Sequence, residues 1–522
     1  MATVAELDNQ EQMFGHPKGL FVLFFTEMWE RFSYYGMRAM LILYMIGGSD
    51  HLRGAGLGWT KTEAYMLYGW YVMLVYVLSI PGGILADKLL GQKKTVMVGA
   101  FTLVAGHGVL AVDAVWAFFL GLGLIILGVG MLKPNISTMV GGLYKSGDIR
   151  RDKGFSIFYM GINLGSLLAT LSIGFIADKW GWHAGFGTAG VAMLFGLIFY
   201  IKGQKHLTFV GNKREKEDIK KEISIGSLFG NLLKSPLHLV ITLVLIAVSS
   251  YFGISMDAID KWGYVGLFIF ISLVVGLMMM IYKDLENQIL KDRFLVMLLS
   301  FLLVVVFWGA FEQAGGLMSV YTEEKTNRDF LGLFTIPTEM FQSLNAGFIL
   351  LFAVWIANIW AKRKVKSKEA SSLFKMAIGT IIMGLGFVFM ILAATEYESS
   401  GSSSMIWLVL AYLFHTIGEL CSSPVSLSFV TKLAPARYAS LMMGLYFAAT
   451  GFGGKVAGVI GEKSEQFGEY SIFIGVTVFT VVFASIVIAL LKPLKRLTHG
   501  AEDLEGTSNE ETEGFELADK EA

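Results

Sequence analysis

With one cysteine, Cys421, the chain can form neither an intramolecular disulfide nor a metal site built on several thiolates. Charge is scarce too: Asp, Glu, Lys and Arg make up 16% of the 522 residues, against about a quarter in soluble domains. The two signs balance at 42 each, and a net charge of zero argues against nucleic acid as a partner. No HExxH, no GxSxG and no His-rich or Cys-rich pattern occurs, so neither a hydrolase nor a metal enzyme is supported, and no cofactor is expected. The first eighteen residues are polar and acidic, without the charged start, apolar core and small-residue cleavage site of a signal peptide. The first helix is therefore expected to stay in the mature protein. Alternating segments of about ten residues, the mark of a membrane β-barrel, are absent from the pattern.

What the sequence has instead is apolar surface, with 54% hydrophobic residues and a mean hydropathy of +0.60. Stretches 114–130, 294–309 and 471–491 are, with their flanks, long enough to cross a hydrocarbon core, which takes about 20 residues. Applying that length throughout predicts about fourteen spans, at 18–46, 60–86, 94–113, 114–141, 152–177, 184–202, 237–256, 262–283, 294–322, 338–361, 371–395, 404–433, 438–461 and 468–492. The expected fold is an all-α membrane protein embedded in a lipid bilayer. Basic residues collect on every second loop, at Lys88, Lys93 and Lys94, at Lys145 to Lys153, and at 213–221, 362–368 and Lys492 to Arg496. By the positive-inside rule those loops are cytoplasmic, and an even number of spans then puts both termini inside.

The Lys- and Glu-rich stretch 203–236 divides the chain, with six spans before it and two plus six after it. The predicted organisation is a cytoplasmic N-terminus (1–17), a six-helix bundle (18–202), a cytoplasmic linker (203–236), an inserted hairpin (237–283), a second six-helix bundle (294–492) and an acidic cytoplasmic tail (493–522). Two six-helix halves follow the plan of major facilitator transporters. An internal echo supports it: a cation precedes a proline at Lys133-Pro134, and an acid precedes one in the stretch from Glu419 to Pro424.

An Arg, Lys or Asp at a membrane helix centre costs about 2.5–3.5 kcal/mol even on the lenient scale, so such residues mark function by default. Here they are Glu27, Glu30, Arg31, Arg38, Lys133, Glu312 and Glu419. Glu27, Glu30, Arg31 and Arg38 fall on one helical stripe, flanked by Tyr34 and Tyr35. Glu27 and Glu30 could serve only to lock helices together. Acid and base partners can also act as a proton switch, because protonating the carboxylate breaks the pair. Trp59, Trp180 and Trp182, near span ends, read as interfacial anchors, and His415 as a packing residue.

Several stretches resemble one family, the proton-coupled oligopeptide transporters of the major facilitator superfamily. Glu27-Met28-Trp29-Glu30-Arg31-Phe32-Ser33-Tyr34-Tyr35-Gly36 is similar to its ExxERFxYYG helix, and Gly82 to Asp87 with Leu90-Gly91 to its GGxxAD loop. Phe158 to Gly165 is similar to FYxxINxG, and Glu419 to Pro424 to ExxxSP. The resemblance implies a bacterial symporter that imports di- and tripeptides together with protons, by rocking of two bundles. It further implies proton coupling at Glu27, Glu30, Arg31 and Glu312, and a peptide pocket from Arg38, Lys133, Glu419, Asn163, Asn345, Tyr34, Tyr35 and Tyr76. Gating salt bridges are expected between Arg38 and Glu312 and between Lys133 and Glu419. Tyr446, where many relatives have Trp, and Phe352-Ala353-Val354-Trp355, where a proline is common, depart from the family pattern.

The residue types suit a zwitterion. Arg38 and Lys133 would take a carboxylate, while Glu419 with Asn163 and Asn345 would take an amine by charge-assisted hydrogen bonds. The alternative is a same-fold proton-coupled carrier of another small solute such as nitrate, against which Glu419 argues by repelling an anion. A passive channel is disfavoured by the repeated halves.

Overall fold

An apolar run in a medium without water must satisfy its backbone hydrogen bonds internally, and this chain does so almost wholly with helices. The structure, a computed structural model, describes residues 10–49, 52–145, 148, 150–213, 258–366, 368–435 and 438–501. The N-terminal bundle holds α1 (Lys18–Ile46), α2 (Lys61–Val77, continued by Ser79–Leu85 and a π-helical turn, Ala86–Leu90), α3 (Gln92–Leu110), α4 (Val115–Gly142), α5 (Arg150–Trp180) and α6 (Trp182–Gly203). Helix α7 (Ala258–Asp284) is the second arm of the predicted hairpin. The C-terminal bundle holds α8 (Gln288–Phe311), α9 (Ser343–Val365), α10 (Ser372–Ser400), α11 (Met405–Leu433), α12 (Ala439–Phe467) and α13 (Glu469–Ala489), followed by a short α14 (Leu491–Leu497). The predicted linker beyond residue 213, the first hairpin arm and the acidic tail beyond residue 501 lie outside the described residues.

Among the described residues, eleven helices are long and apolar enough to cross a membrane. Two more, α1 and α3, complete the N-terminal bundle: α1 carries four charges in mid-helix, and α3 opens on Lys93 and Lys94. Local signals set the boundaries. A capping box joins Thr60 and Glu63 at the start of α2, Asn287 and Ser404 cap α8 and α11, and Gly181 and Gly468 turn the chain with positive φ between neighbouring helices.

The predicted span 294–322 is not one helix. After Phe311 the chain tightens into a 3-10 turn, Glu312–Gly315, and resumes at Leu317–Lys325. Gly315 and Gly316 permit the break, and Gln313 donates to the carbonyls of Gly309 and Ala457, so the interrupted ladder is partly re-satisfied. Glu312 sits at the break, where discontinuous transporter helices place their polar groups.

Helix α1 packs on α5 and α6, α3 on α4, and α10 on α11 and α13. The bundles meet where α2 crosses α12 and where α5 lies beside α9. At the first crossing Gly69 faces Gly458, and a Cβ on either would run into the other's backbone, so the two helices touch with no side chain between them. Both described chain ends share a face with the basic loops. There Arg150 donates to the Gly15 carbonyl, the Lys93 amide to that of Gly211, and Lys495 to Glu369.

Candidate functional site

A cavity of about 200 Å3 lies between the bundles, with Glu27, Arg31, Arg38 and Lys133 on the N-terminal side and Glu312 and Glu419 on the other. The stripe on α1 builds the first wall. Arg31 reaches back one turn to Glu27 at 3.1 Å and also binds Glu30, and its guanidinium lies over the rings of Tyr34 and Tyr35 at 5.2 and 5.8 Å. One arginine thus serves two buried acids, so a proton arriving on either carboxylate leaves the other still paired.

Two turns on, Arg38 packs over Tyr35 at 5.1 Å and crosses to the break in α8, where its Nη1 donates to Glu312 at 2.7 Å. The Tyr68 hydroxyl donates to the same carboxylate oxygen at 3.2 Å. The predicted pairing of Arg38 with Glu312 is present. Lys133 and Glu419 are not paired in this structure, contrary to expectation. The Lys133 ammonium sits 4.0 Å from the Tyr76 ring centre and 6.0 Å from that of Phe447. Glu419 instead accepts from Asn345 at 2.8 Å, and the same amide donates to Thr416 at 3.2 Å. A lysine over aromatic faces and a carboxylate held by one amide both keep capacity for a charged guest.

Tyr35, Tyr76, Asn163 and Asn345 line the cavity. The Asn163 amide donates to Tyr159 in its own helix at 3.0 Å. Tyr34 was expected among the pocket residues and is not on the wall: it is buried behind Tyr35, stacked on Tyr71 with ring centres 6.5 Å apart. Adjacent helix positions point about 100° apart, and here α1 is turned so that Tyr35 faces the cavity while Tyr34 faces Tyr71. Glu30 likewise sits behind Arg31 rather than on the wall. His415 lines the cavity with its ring against Phe387, centres 4.6 Å apart.

Sequence reasoning missed a second cluster, on the face opposite the chain ends. Arg53, in the loop after α1, forms a two-pronged pair with Glu339, bonds Asp178 at 2.6 Å and lies 4.8 Å from the Trp182 ring centre. Glu339 belongs to the 3-10 turn that opens α9, so this cluster ties the two bundles together. Lys61 and Glu324 bridge them again at 2.6 Å. An arginine among loop glycines and an acid at a helix start carry no local signal of each other. Trp182 is consequently no interfacial anchor, for it is buried beneath Arg53 and donates to the Gly54 carbonyl.

A cross-braced face on one side and a charged chamber in the middle are the layout of an alternating-access carrier, and comparison with known proteins agrees. The sequence profile of the POT family matches residues 93–473. The chain belongs to the POT family. It is 38% identical over 510 residues to the uncharacterized transporter YclF of Bacillus subtilis, covering 95% of this chain and all of YclF. The peptide transporter YePEPT of Yersinia enterocolitica is 35% identical, with 96% of this chain and 99% of YePEPT covered. A di-/tripeptide transporter of Lactococcus lactis is 34% identical, with 94% and 98% covered. A crystal structure of a peptide transporter POT in complex with sulfate superposes with a TM-score of 0.80 at 35% identity, covering 94% of this chain and 97% of the other. This POT chain is therefore a multi-pass membrane transporter with the major facilitator fold.

Proposed function

We propose that the protein is a proton-coupled symporter that imports di- and tripeptides across the bacterial cytoplasmic membrane, with both termini in the cytoplasm. The observation that carries this reading is the opposed charge across one small cavity. Arg38 and Lys133 stand on one wall, and Glu419, held by Asn345, on the other. A free peptide has a carboxylate at one end and an ammonium at the other, so a pocket of this polarity orients it by its ends and leaves its side chains loosely read. The names of the Yersinia and Lactococcus relatives support the cargo. The basic loops beside the chain ends support the orientation.

Glu27, Glu30 and Arg31 are proposed as the proton-coupling cluster, with Glu312 joining it through Arg38. Protonation of Glu312 would release Arg38 and loosen the face opposite the chain ends. A membrane potential of 100 mV supplies about 2.3 kcal/mol per elementary charge, enough for more than tenfold accumulation per proton. Uptake of labelled dialanine into proteoliposomes, with imposed pH gradient and potential, tests cargo and energy source together. Concentrative uptake that collapses with a protonophore is expected, and gradient-independent or absent uptake would reject the reading.

A further inference from the structure

A second cavity, of about 520 Å3, lies outside the peptide pocket, between α7 and the C-terminal bundle. Val275 and Met279 of α7, Leu302 and Val305 of α8, and Leu445 and Phe452 of α12 form its walls. Val275, Met279 and Leu302 are exposed, so the groove opens sideways to the medium that surrounds a transmembrane helix, which is hydrocarbon. A peptide with charged ends finds no polar partner on such walls, and water finds none either.

Chemistry changes only at the end of the groove toward the face that bears the chain ends. Tyr282 and Lys283 line it there, and Lys291 places its ammonium 5.6 Å from the Tyr282 ring centre. Two of the acids in that turn are engaged elsewhere. Asp284 accepts from the Tyr438 hydroxyl at 2.6 Å, and Asp292 pairs with His499 at 2.7 Å. Glu286, the third, makes no ion pair with either lysine, and among the described residues Lys283 and Lys291 have no carboxylate partner. An apolar trough capped by two cations at membrane-surface depth complements one kind of molecule, an acyl chain with a negatively charged head.

We propose that this groove is a phospholipid site, which seats one acyl chain of an anionic lipid against α7, α8 and α12, with Lys283 and Lys291 holding the phosphate head. The bound lipid then forms part of the joint between α7 and the transport domain, because it contacts all three helices at once. A juxtamembrane lysine contributes about 1 kcal/mol toward an anionic head, so two favour phosphatidylglycerol over phosphatidylcholine by roughly ten- to thirty-fold.

The test uses the full chain in nanodiscs doped with phosphatidylglycerol or phosphatidylcholine carrying a photoreactive group on one acyl chain, with labelled peptides mapped by mass spectrometry. Labelling is expected to concentrate on the groove faces of α7, α8 and α12 and to favour phosphatidylglycerol. Leu302→Trp and Val275→Trp, both at exposed positions that tolerate bulk, should each lower it at least fivefold. Lys283→Gln combined with Lys291→Gln should abolish the headgroup preference and leave phosphatidylcholine labelling in place. Label spread evenly over all lipid-facing helices, label unmoved by both tryptophans, or equal labelling by the two lipids would overturn the proposal. So would cross-linking of a Leu302→Cys variant to a cysteine placed in 237–257, or to a second copy, because another occupant would then fill the groove.

Discussion

The two walls of the central cavity carry their charges differently. On the N-terminal side Glu27, at the wall, and Glu30, buried behind it, find their cation, Arg31, on the same helix, so that cluster holds together whatever the other bundle does. On the C-terminal wall Glu312 has its cation across the gap, and Glu419 has only an amide. A self-contained cluster can store a proton while the bundles move. A split pair reports whether they are together. The difference separates an ion cluster that stays within one bundle from a pair that spans the two, with Arg38 on α1 reaching across to Glu312.

This contrast can be broken on either side. The largest effect is expected from Glu27→Gln or Glu30→Gln, which should abolish concentrative, proton-driven uptake yet leave counterflow exchange of labelled dialanine intact. Retained accumulation in both variants would remove the N-terminal cluster from coupling. Next, Glu312→Gln leaves Arg38 buried without its counter-charge, which costs about 3–5 kcal/mol. Uptake should fall more than a hundredfold and the melting temperature should drop, and an unchanged melting temperature would show that the split pair does not hold the closed face.

Glu419→Gln removes a charge-assisted bond worth about 1.5–3 kcal/mol, so competition by dialanine should weaken roughly ten- to a hundredfold. N-acetyl-dialanine should lose little, and equal losses for both would mean that Glu419 does not read the amine. Tyr34→Phe deletes a hydroxyl that is buried and makes no hydrogen bond. Less than about 1 kcal/mol of stability and no change in affinity are expected, and a lost affinity would return Tyr34 to the pocket.

The smallest effect concerns the loop face. Burial raises the Glu369 carboxyl, but hydrogen bonds from Ser371 and Lys495 outweigh it and pull the pKa from 4.5 down to about 2. The stabilisation from a depressed acid is present in full above pH 4.5 and is lost as pH falls through 2. Thermal stability of Glu369→Gln relative to the parent should therefore be constant from pH 6 to 8, and a slope there would assign the loop a role in sensing pH.

The helices were legible because hydrocarbon leaves the backbone no other partner, and the α1 stripe because residues three and four apart must share a helical face. Glu312 and Glu419 stood out as charges in apolar runs. The register of neighbours was not legible. That Tyr35 faces the cavity and Tyr34 does not depends on how α1 is rotated against α5 and α6, which periodicity leaves open when both neighbours are aromatic. Nor was the tie between Arg53 and Glu339 visible, the two lying 286 positions apart. Each partner alone looks like an ordinary loop or cap residue, and only packing brings them together. The break at Glu312 escaped notice because Gly315 and Gly316 also fit the close helix contacts expected of any membrane bundle.

The bare crossing of Gly69 on Gly458 has a mechanical consequence. At this one point the backbones meet directly, whereas Tyr65 and Val72 of α2 pack on Gly461 and Gly454 of α12 to either side. The glycine contact is thus the closest approach of the two helices and serves here as the fulcrum for a rocking of the bundles. It is off-centre. Within the continuous helical stretch Lys61–Leu90, Gly69 leaves about 12 Å of helix toward one end and about 30 Å toward the other, at 1.5 Å per residue. Unequal lever arms convert one rotation into unequal apertures: a tilt of roughly 10° displaces the far end by about 5 Å and the near end by only about 2 Å. The entrance beside the chain ends therefore swings wide, while the opposite entrance need only crack open.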